Sequence, residues 1–142
     1  MNKFNNVQPP KQFQYKNQSV RIKNYYEFKC DNRIYFSQTK HIDLAMHTYK
    51  FDIEILSPID DYGLALDFNV VDKIYKQYLA PYLDKQLLNE TLPEMNTTAE
   101  NIAFWIWEQF VLNLPTGNTL KKLNFYVNPT PGFVLKNVQI KL

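Results

Sequence analysis

The chain has 142 residues, 45% hydrophobic and 21% charged, which suits a single globular domain rather than a disordered chain. It contains no run of about 18 apolar residues and no signal peptide, so we expect a cytoplasmic protein without a membrane partner. Its net charge of +2 is too small to indicate a nucleic-acid partner, and its one cysteine, Cys30, excludes a disulfide within the chain.

The first part of the chain predicts an arm followed by strands. Residues 1–19 are rich in Asn, Gln, Lys and Pro without any period, which predicts a flexible arm ahead of a single domain over residues 20–142. Val20–Phe36 is rich in Tyr, Phe, Val and Ile and predicts one long strand or a strand pair, and Ser37–Leu44 predicts a polar loop. Apolar and polar residues alternate from Thr48 to Ile55, as in a half-buried antiparallel strand.

The middle of the chain predicts a turn, a further strand and a helix. Ser57–Gly63 has the composition of a turn, and the alternation that resumes over Leu64–Phe68 predicts a hairpin. Asn69 is the predicted N-cap of the following helix. Pro81 must kink or end that helix because it has no N–H to donate, and Asp84–Asn96 is a predicted connector.

Thr97–Phe110 is the clearest helix in the sequence. Thr97 and Glu100 have the spacing of a capping box, and Ile102, Ile106 and Phe110 repeat on one face. Two more strands are predicted around the turn at 128–132. The order of elements predicts an α+β fold in which two helices cover one face of a four-stranded antiparallel sheet.

Residue spacing alone provides little evidence for catalysis. The sequence has no glycine-rich phosphate loop, no cysteine pair for zinc and only two histidines, His41 and His47. Asp84 and Lys85 are either an acid–base pair or a solvated helix end. Cys30 has no neighbouring histidine in sequence, so we interpret it as a small buried side chain rather than a nucleophile.

Several motifs together resemble one family. Asp67-Phe68 resembles a "G-x-V-x-D-F" helix entry, and Tyr82–Asn89 resembles "L-D-H-x-L-L-N". Thr97–Glu108 resembles "P-T-A-E-N…I-W-E", and Met46–Tyr49 resembles the end of "H-G-H-N-Y". In this order and spacing the motifs resemble the T-fold proteins of the 6-pyruvoyl- and 6-carboxytetrahydropterin synthase group, the latter of the queuosine pathway, over about Tyr25–Asn137.

The resemblance implies a ββααββ T-fold. In that family the sheets of several subunits close into a barrel, commonly in a homohexamer of two trimers with sites between subunits. The abundance of Tyr and Phe, ten of each, also favours a homo-oligomer, a trimer or hexamer, because aromatic residues are enriched at subunit contacts.

The resemblance also assigns candidate site residues, most of them replaced. The family binds zinc through three histidines, whose positions here hold Asn32, Ala45 and His47. The family's cysteine is matched by His41, and its Asp–His pair by Asp84 and Lys85. The glutamate that binds the pterin is matched by Asn128, and we add Thr130 and Thr98 as candidate ligand-binding residues.

Three hypotheses follow. The first is a T-fold protein without the zinc site and the parent catalysis, which has a structural role or binds a small pterin-like or purine-like heterocycle and needs no cofactor. The second is an active synthase, a lyase that converts dihydroneopterin triphosphate at an atypical zinc site. The third is different acid–base chemistry that uses His41, Asp84 and Lys85.

Overall fold

The computed structural model describes residues 2–127 and 131–139. Its four antiparallel strands lie in the order β1-β2-β3-β4 within one sheet. The strands are β1 (Ser19–Tyr35), β2 (His41–Pro58), β3 (Thr119–Tyr126) and β4 (Gly132–Lys136). Four α-helices lie between β2 and β3: α1 (Phe68–Ile74), α2 (Ala80–Leu83), α3 (Leu88–Thr91) and α4 (Ala99–Asn113). The predicted α+β arrangement is therefore confirmed.

The core lies between one face of the sheet and α4. The apolar residues that alternate along β1, β2 and β3 are buried, and Ile102, Ile106 and Phe110 of α4 are fully buried against them. Trp105 and Trp107 are buried as well. The prediction of a core helix on a sheet is confirmed, because the spacing of apolar residues on α4 gave it one continuous apolar face.

Pro81 changes the hydrogen bonding of the helix before it rather than ending it at once. A π-helical turn over Tyr75–Leu79 joins α1 to α2, and the N–H of Ala80 donates to the carbonyl of Tyr75. The proline ring cannot donate to an i−4 carbonyl, and a wider turn accommodates that lost bond. The helical segment then ends at Asp84, whose backbone is extended.

Three predicted boundaries are wrong. No hairpin follows the turn at 57–63, because 64–67 has no regular structure and Phe68 already begins α1. The loop between β1 and β2 is only 36–40, so His41 lies on a strand. The last strand, which the sequence predicts over Phe133–Ile140, ends at Lys136.

Both predicted N-caps are displaced. The side chain of Asp67, not that of Asn69, caps α1 and accepts a hydrogen bond from the N–H of Asn69 at 2.8 Å. At α4 the cap is Thr98, whose hydroxyl accepts from the N–H of Asn101 at 3.2 Å. Thr97 is thereby left free for a different contact, described below.

The arm is attached to the domain over its last residues. The side chain of Gln14 donates to the carbonyls of Ile59 (3.1 Å) and Asp60 (2.9 Å), and the Phe13 ring packs edge-on against Tyr62 at 5.0 Å between centroids. Residues 2–13 are otherwise exposed and have neither strand nor helix. Among the described residues, no helix is long and apolar enough to span a bilayer.

The second half of the outer edge of β1 is covered by two asparagine side chains. The Asn89 amide accepts from the N–H of Arg33 (2.8 Å) and donates to its carbonyl (2.9 Å). Asn96 makes the same pair of bonds with Tyr35, at 3.0 and 2.7 Å. Each amide therefore takes the place of a neighbouring strand. Residues 84–86 bind the backbone of Lys29 and Asp31 in the same way, so 19–27 is the part of this edge that another strand could join.

Candidate functional site

The candidate site is built on an irregularity in the pairing of β1 with β2. Cys30 pairs with His47, but Asn32 pairs with Leu44, so β2 carries one extra residue at this point. Met46 lies in the irregularity with a positive φ of 51°. The Asp31 carboxylate holds it there by accepting from the N–H of Met46 at 2.8 Å.

Asn32 is committed to hydrogen bonds inside the protein. It is 2% exposed, and its amide nitrogen donates to the carbonyl of Thr97 at 2.8 Å and to the hydroxyl of Tyr49 at 3.3 Å. The hydroxyl of Thr97, itself 1% exposed, donates to the amide oxygen of Asn32. The side chain thus joins β1 to the start of α4, with both of its polar atoms satisfied.

His47 is also engaged. Its Nε2 lies 2.9 Å from the carbonyl oxygen of Val127, and its ring packs edge-on against Tyr49. Because a carbonyl oxygen only accepts, Nε2 carries the proton in this contact and cannot bind a metal while the contact is made.

These three positions do not fit a zinc ion. Ala45 has no donor atom, Asn32 has its amide oxygen occupied, and His47 uses Nε2 elsewhere. Within 2–127 and 131–139, no group of three His, Cys, Asp or Glu side chains is placed to hold a metal. A catalytic zinc site usually has three protein ligands, and here only one of the three aligned side chains can be one.

Asp84 and Lys85 close over the edge of β1 beside this irregularity. The Asp84 carboxylate accepts from the N–H of Lys29 at 3.2 Å, and the N–H of Lys85 donates to the carbonyl of Lys29 at 2.6 Å. Lys85 has a positive φ of 61°. Both residues line a cleft of about 390 Å³ together with Cys30, Asp31 and Met46.

His41 is not brought to this cleft. It pairs with Tyr35 at the far end of β1, with the two rings 5.5 Å apart between centroids. Tyr35 lies six residue steps along β1 from Lys29, which is roughly 20 Å at the usual rise of a strand. The predicted set of His41, Asp84 and Lys85 is therefore not assembled within one chain.

The Cys30 thiol is buried and electrostatically disfavoured as a nucleophile. It is 2% exposed, and burial, with the nearby carboxylates of Asp31 and Asp84, raises its pKa to about 12. A thiol with that pKa is almost entirely protonated near neutrality, so it cannot attack an electrophile at a useful rate.

The remaining predicted residues are less informative. Thr98 serves as the N-cap of α4, and Asn128 and Thr130 lie outside the described residues.

Sequence reasoning missed Asp31 and Tyr75. The Tyr75 hydroxyl is buried without a partner among the described residues, and burial together with the Asp84 charge raises the pKa of the phenol. No local motif marks either residue, since their positions depend on the strand irregularity and the π-helical turn.

Comparison with known proteins identifies the family. The model of the 6-pyruvoyl tetrahydropterin synthase family matches residues 21–137. The chain belongs to this family. It is 34% identical over 88 residues to the dihydroneopterin monophosphate aldolase of Pyrococcus furiosus, a match that covers 59% of this chain and 70% of the aldolase.

Solved structures agree on the T-fold. The 6-pyruvoyl tetrahydropterin synthase of Caenorhabditis elegans superposes with a TM-score of 0.72 at 16% identity, covering 88% of this chain and all of that one. The Plasmodium falciparum enzyme gives a TM-score of 0.64 at 13% identity, covering 84% and 98%. At these identities the superpositions support the fold, whereas the chemistry depends on the site residues.

Proposed function

We propose that this chain is an oligomeric member of the 6-pyruvoyl tetrahydropterin synthase family that binds a small heterocycle and lacks the zinc-dependent reaction of the family. The observation that carries the proposal is the hydrogen-bonded pair of Asn32 and Thr97. It occupies the position where the resemblance requires the first metal ligand.

Zinc binding at this position has a physical cost. To coordinate a metal, the amide oxygen of Asn32 has to give up the Thr97 hydroxyl, which is buried and has only the Arg33 carbonyl, at 3.3 Å, as another partner. Leaving a buried polar group unsatisfied costs about 1–3 kcal/mol, and an amide oxygen is a weaker zinc ligand than an imidazole. Ala45 contributes nothing to offset that cost.

The proton-transfer part of the family's site has also changed. The amine of Lys85 replaces an imidazole, the side chain best suited to exchange protons near neutrality. Asp84 is already bonded to the backbone of Lys29. These substitutions support a role in ligand binding rather than in acid–base catalysis.

The cleft beside Asp84 supports binding of a pterin-like or purine-like ligand. Its volume of about 390 Å³ lies in the usual range for small-molecule sites. Asp31 and Asp84 each have a carboxylate at the cleft, and carboxylates pair well with the N–H groups of an amino-substituted heterocycle. Calorimetric titrations with neopterin and with guanine test this part of the proposal. If neither ligand binds, this part of the proposal is contradicted.

Self-association is supported by the strand edges that the fold leaves unpaired. The first half of β1 and the whole of β4 each have one edge without a partner strand among the described residues. Pairing between subunits removes such edges, and we propose that this chain forms a trimer or hexamer in that way. If light scattering at micromolar concentration gives only the mass of one chain, the proposed oligomer is contradicted.

The zinc content of the purified protein is the decisive test of our proposal that the chain lacks the family's zinc site. We expect protein purified without chelator or nickel to contain far less than one zinc per chain by elemental analysis. The matched variant is the double substitution Asn32→His with Ala45→His, which restores three histidines and is expected to gain zinc. One zinc per chain in the wild-type protein overturns the proposal.

A second candidate is active chemistry on a dihydroneopterin phosphate. It is favoured by the 34% identity to an enzyme named for that activity, which is higher than the identity to either synthase structure described above. Incubation with dihydroneopterin triphosphate and monophosphate, followed by chromatography of the pterin products, separates the candidates. If the wild-type protein turns over a substrate and Asp84→Asn abolishes that turnover, the protein is an enzyme. If the protein binds neopterin but turns over neither substrate, the binding role is supported.

A further inference from the structure

The face of the sheet that no helix covers carries an ordered arrangement of polar side chains. Three rows cross the strands in register, and each row is read from β1 to β4. The rows are Lys23–Glu54–Lys122–Lys136, Tyr25–Asp52–Asn124–Val134 and Glu27–Lys50–Tyr126–Gly132. Neighbours in a row lie close enough for their side chains to interact directly.

The three carboxylates in these rows differ in how their charge is compensated. Glu54 lies 3.1 Å from the Lys23 ammonium and 3.5 Å from the Arg21 guanidinium. Glu27 lies 3.9 Å from the Lys50 ammonium. Asp52, only 6% exposed, has no Lys or Arg nitrogen within 4 Å among the described residues.

Asp52 is instead held by neutral donors. The Asn124 amide donates to one of its oxygens at 2.7 Å, and the Tyr126 hydroxyl donates to the other at 3.2 Å. Burial and the Asp52 charge raise the pKa of Tyr126, so its phenol stays protonated and continues to donate. These bonds fix the carboxylate in place, but they leave a negative charge that is nearly removed from water and that only the more distant Lys23 ammonium, held by Glu54, partly offsets.

A cleft lies directly beside this charge. Its volume is about 470 Å³, and its floor is formed by the paired residues Tyr26 and Phe51. Its walls are Tyr25 and Asp52 on one side, Glu27 and Lys50 on the other, and Tyr126 on β3. Tyr25 is 70% exposed, so its ring is accessible to a molecule that enters the cleft.

We propose that the cleft between Tyr25, Asp52 and Tyr126 binds the primary ammonium group of a small organic cation. An ammonium placed there donates a charge-assisted hydrogen bond to the Asp52 carboxylate, which can still accept one, and supplies a counter-charge in direct contact with it. The two tyrosine rings beside it add cation–π attraction. The cleft contains none of the residues that resemble the zinc ligands or the Asp–His pair, and Glu27 is the one lining residue that it shares with the cleft beside Asp84 among the described residues.

The neighbouring lysines do not fill this role. Lys23 is drawn to Glu54, and that contact raises the pKa of its ammonium. Lys50 lies across the cleft and pairs with Glu27. The charges that line the cleft are two carboxylates against one ammonium, so the cleft retains a net attraction for a cation.

The test uses propylammonium as the probe and 1-propanol as its neutral isostere, with binding followed by amide chemical shifts in NMR spectra of the full chain. We expect saturable shifts at Tyr25, Asp52 and Tyr126 with propylammonium and none with 1-propanol. Asp52→Asn is expected to weaken binding about tenfold or more, since it removes the charge and keeps the shape. Glu94→Gln is the charge-matched control, because it removes an exposed carboxylate that lies outside this cleft, and it is expected to change affinity less than threefold.

A second variant keeps the test decisive if Asp52→Asn unfolds. Tyr25→Ala removes an exposed ring without disturbing the core, and we expect it to weaken propylammonium binding at least threefold. The proposal is overturned if the wild-type chain shows no saturable binding, or if Glu94→Gln weakens binding as much as Asp52→Asn. It is also overturned if Asp52→Asn lowers the mass of the assembly, because the partner of Asp52 is then a cationic side chain of a second copy.

Discussion

Asn32 of β1 and Thr97, the residue before the cap of α4, are joined by hydrogen bonds in both directions. The Asn32 amide nitrogen donates to the Thr97 carbonyl at 2.8 Å, and the Thr97 hydroxyl donates to the Asn32 amide oxygen. Both residues are at most 2% exposed, so water does not replace these bonds if one side chain is removed. The pair fixes the start of the main core helix against the sheet.

Removing this pair is expected to destabilise the protein and to show energetic coupling. Asn32→Ala leaves a buried hydroxyl and a buried carbonyl without their partner and should cost about 2–4 kcal/mol in the free energy of unfolding. Thr97→Val should cost about 1–2 kcal/mol. In a double-mutant cycle by urea denaturation, the double variant should lose at least about 1 kcal/mol less than the sum. Additive effects would show that the two side chains do not depend on each other.

The observed cap of α1, Asp67, and the cap predicted from the sequence, Asn69, lead to different expectations for two alanine substitutions. Asp67→Ala removes the carboxylate that accepts from the Asn69 N–H and should cost about 1 kcal/mol of stability. Asn69→Ala keeps the backbone N–H and should cost less than about 0.5 kcal/mol. Chemical denaturation of the two variants checks this, and a larger effect at Asn69 would contradict the observed cap.

The displaced caps show where sequence reasoning loses accuracy. The spacing of Thr97 and Glu100 satisfied a capping box, but Thr98 lies one residue later and is an equally good cap. Thr97 was the better partner for Asn32, which is 65 residues away in sequence. Local pattern therefore placed the helix correctly and could not place its first residue, because a distant contact decided between two threonines.

Gly132 should be intolerant of any side chain. A Cβ at this position would lie 2.1 Å from the backbone oxygen of Phe125 on β3. Gly132→Ala must therefore push β4 away from β3 and should cost about 3 kcal/mol or more, measured by thermal or chemical unfolding. Gly117→Ala is the control, since it is strained by a φ of 92° but has nothing within 4 Å, and should cost only about 1–2 kcal/mol.

The Cys30 thiol should be unreactive and should make stability depend on alkaline pH. Its pKa is raised from 9.0 to about 12, so at pH 8 the thiolate fraction is roughly a thousand-fold lower than for a free thiol. Alkylation by iodoacetamide should be correspondingly slow in the folded state. Rapid alkylation of the native protein would return Cys30 to the list of candidate nucleophiles.

The raised pKa of Cys30 also determines whether the free energy of unfolding rises or falls with pH. A raised pKa in the folded state means that the stabilisation is present below pH 9 and is lost as the pH rises from about 9 to about 12. Tyr26 and Tyr75 have raised pKa values too, so the wild-type decline has several sources. The difference between wild-type protein and Cys30→Ala over this pH range isolates the contribution of the thiol, and parallel curves for the two proteins would contradict it.

The candidate site was less predictable from sequence than the fold. Alternation and helical spacing are local, and they located β1 and α4 within about three residues, although the predicted strand at Thr48 begins seven residues after the observed start of β2 at His41. His41 was grouped with Asp84 and Lys85 by resemblance, but it pairs with Tyr35 at the end of β1, whereas Asp84 and Lys85 bind Lys29 further back along the same strand. The role of Asp31 depends on one extra residue in β2, which no pattern in either strand reveals.

The amides of Asn89 and Asn96 that cover the edge of β1 have a consequence for synthesis of the chain. The strands β1 and β2 are complete once residue 58 has been made, and they can pair as soon as they leave the ribosome. The residues that cover the edge are 56 and 61 positions further along than the strand residues they bind. A nascent chain therefore exposes a long, tyrosine-rich strand edge until the α3 region emerges, and this interval is when we expect the protein to depend most on chaperones.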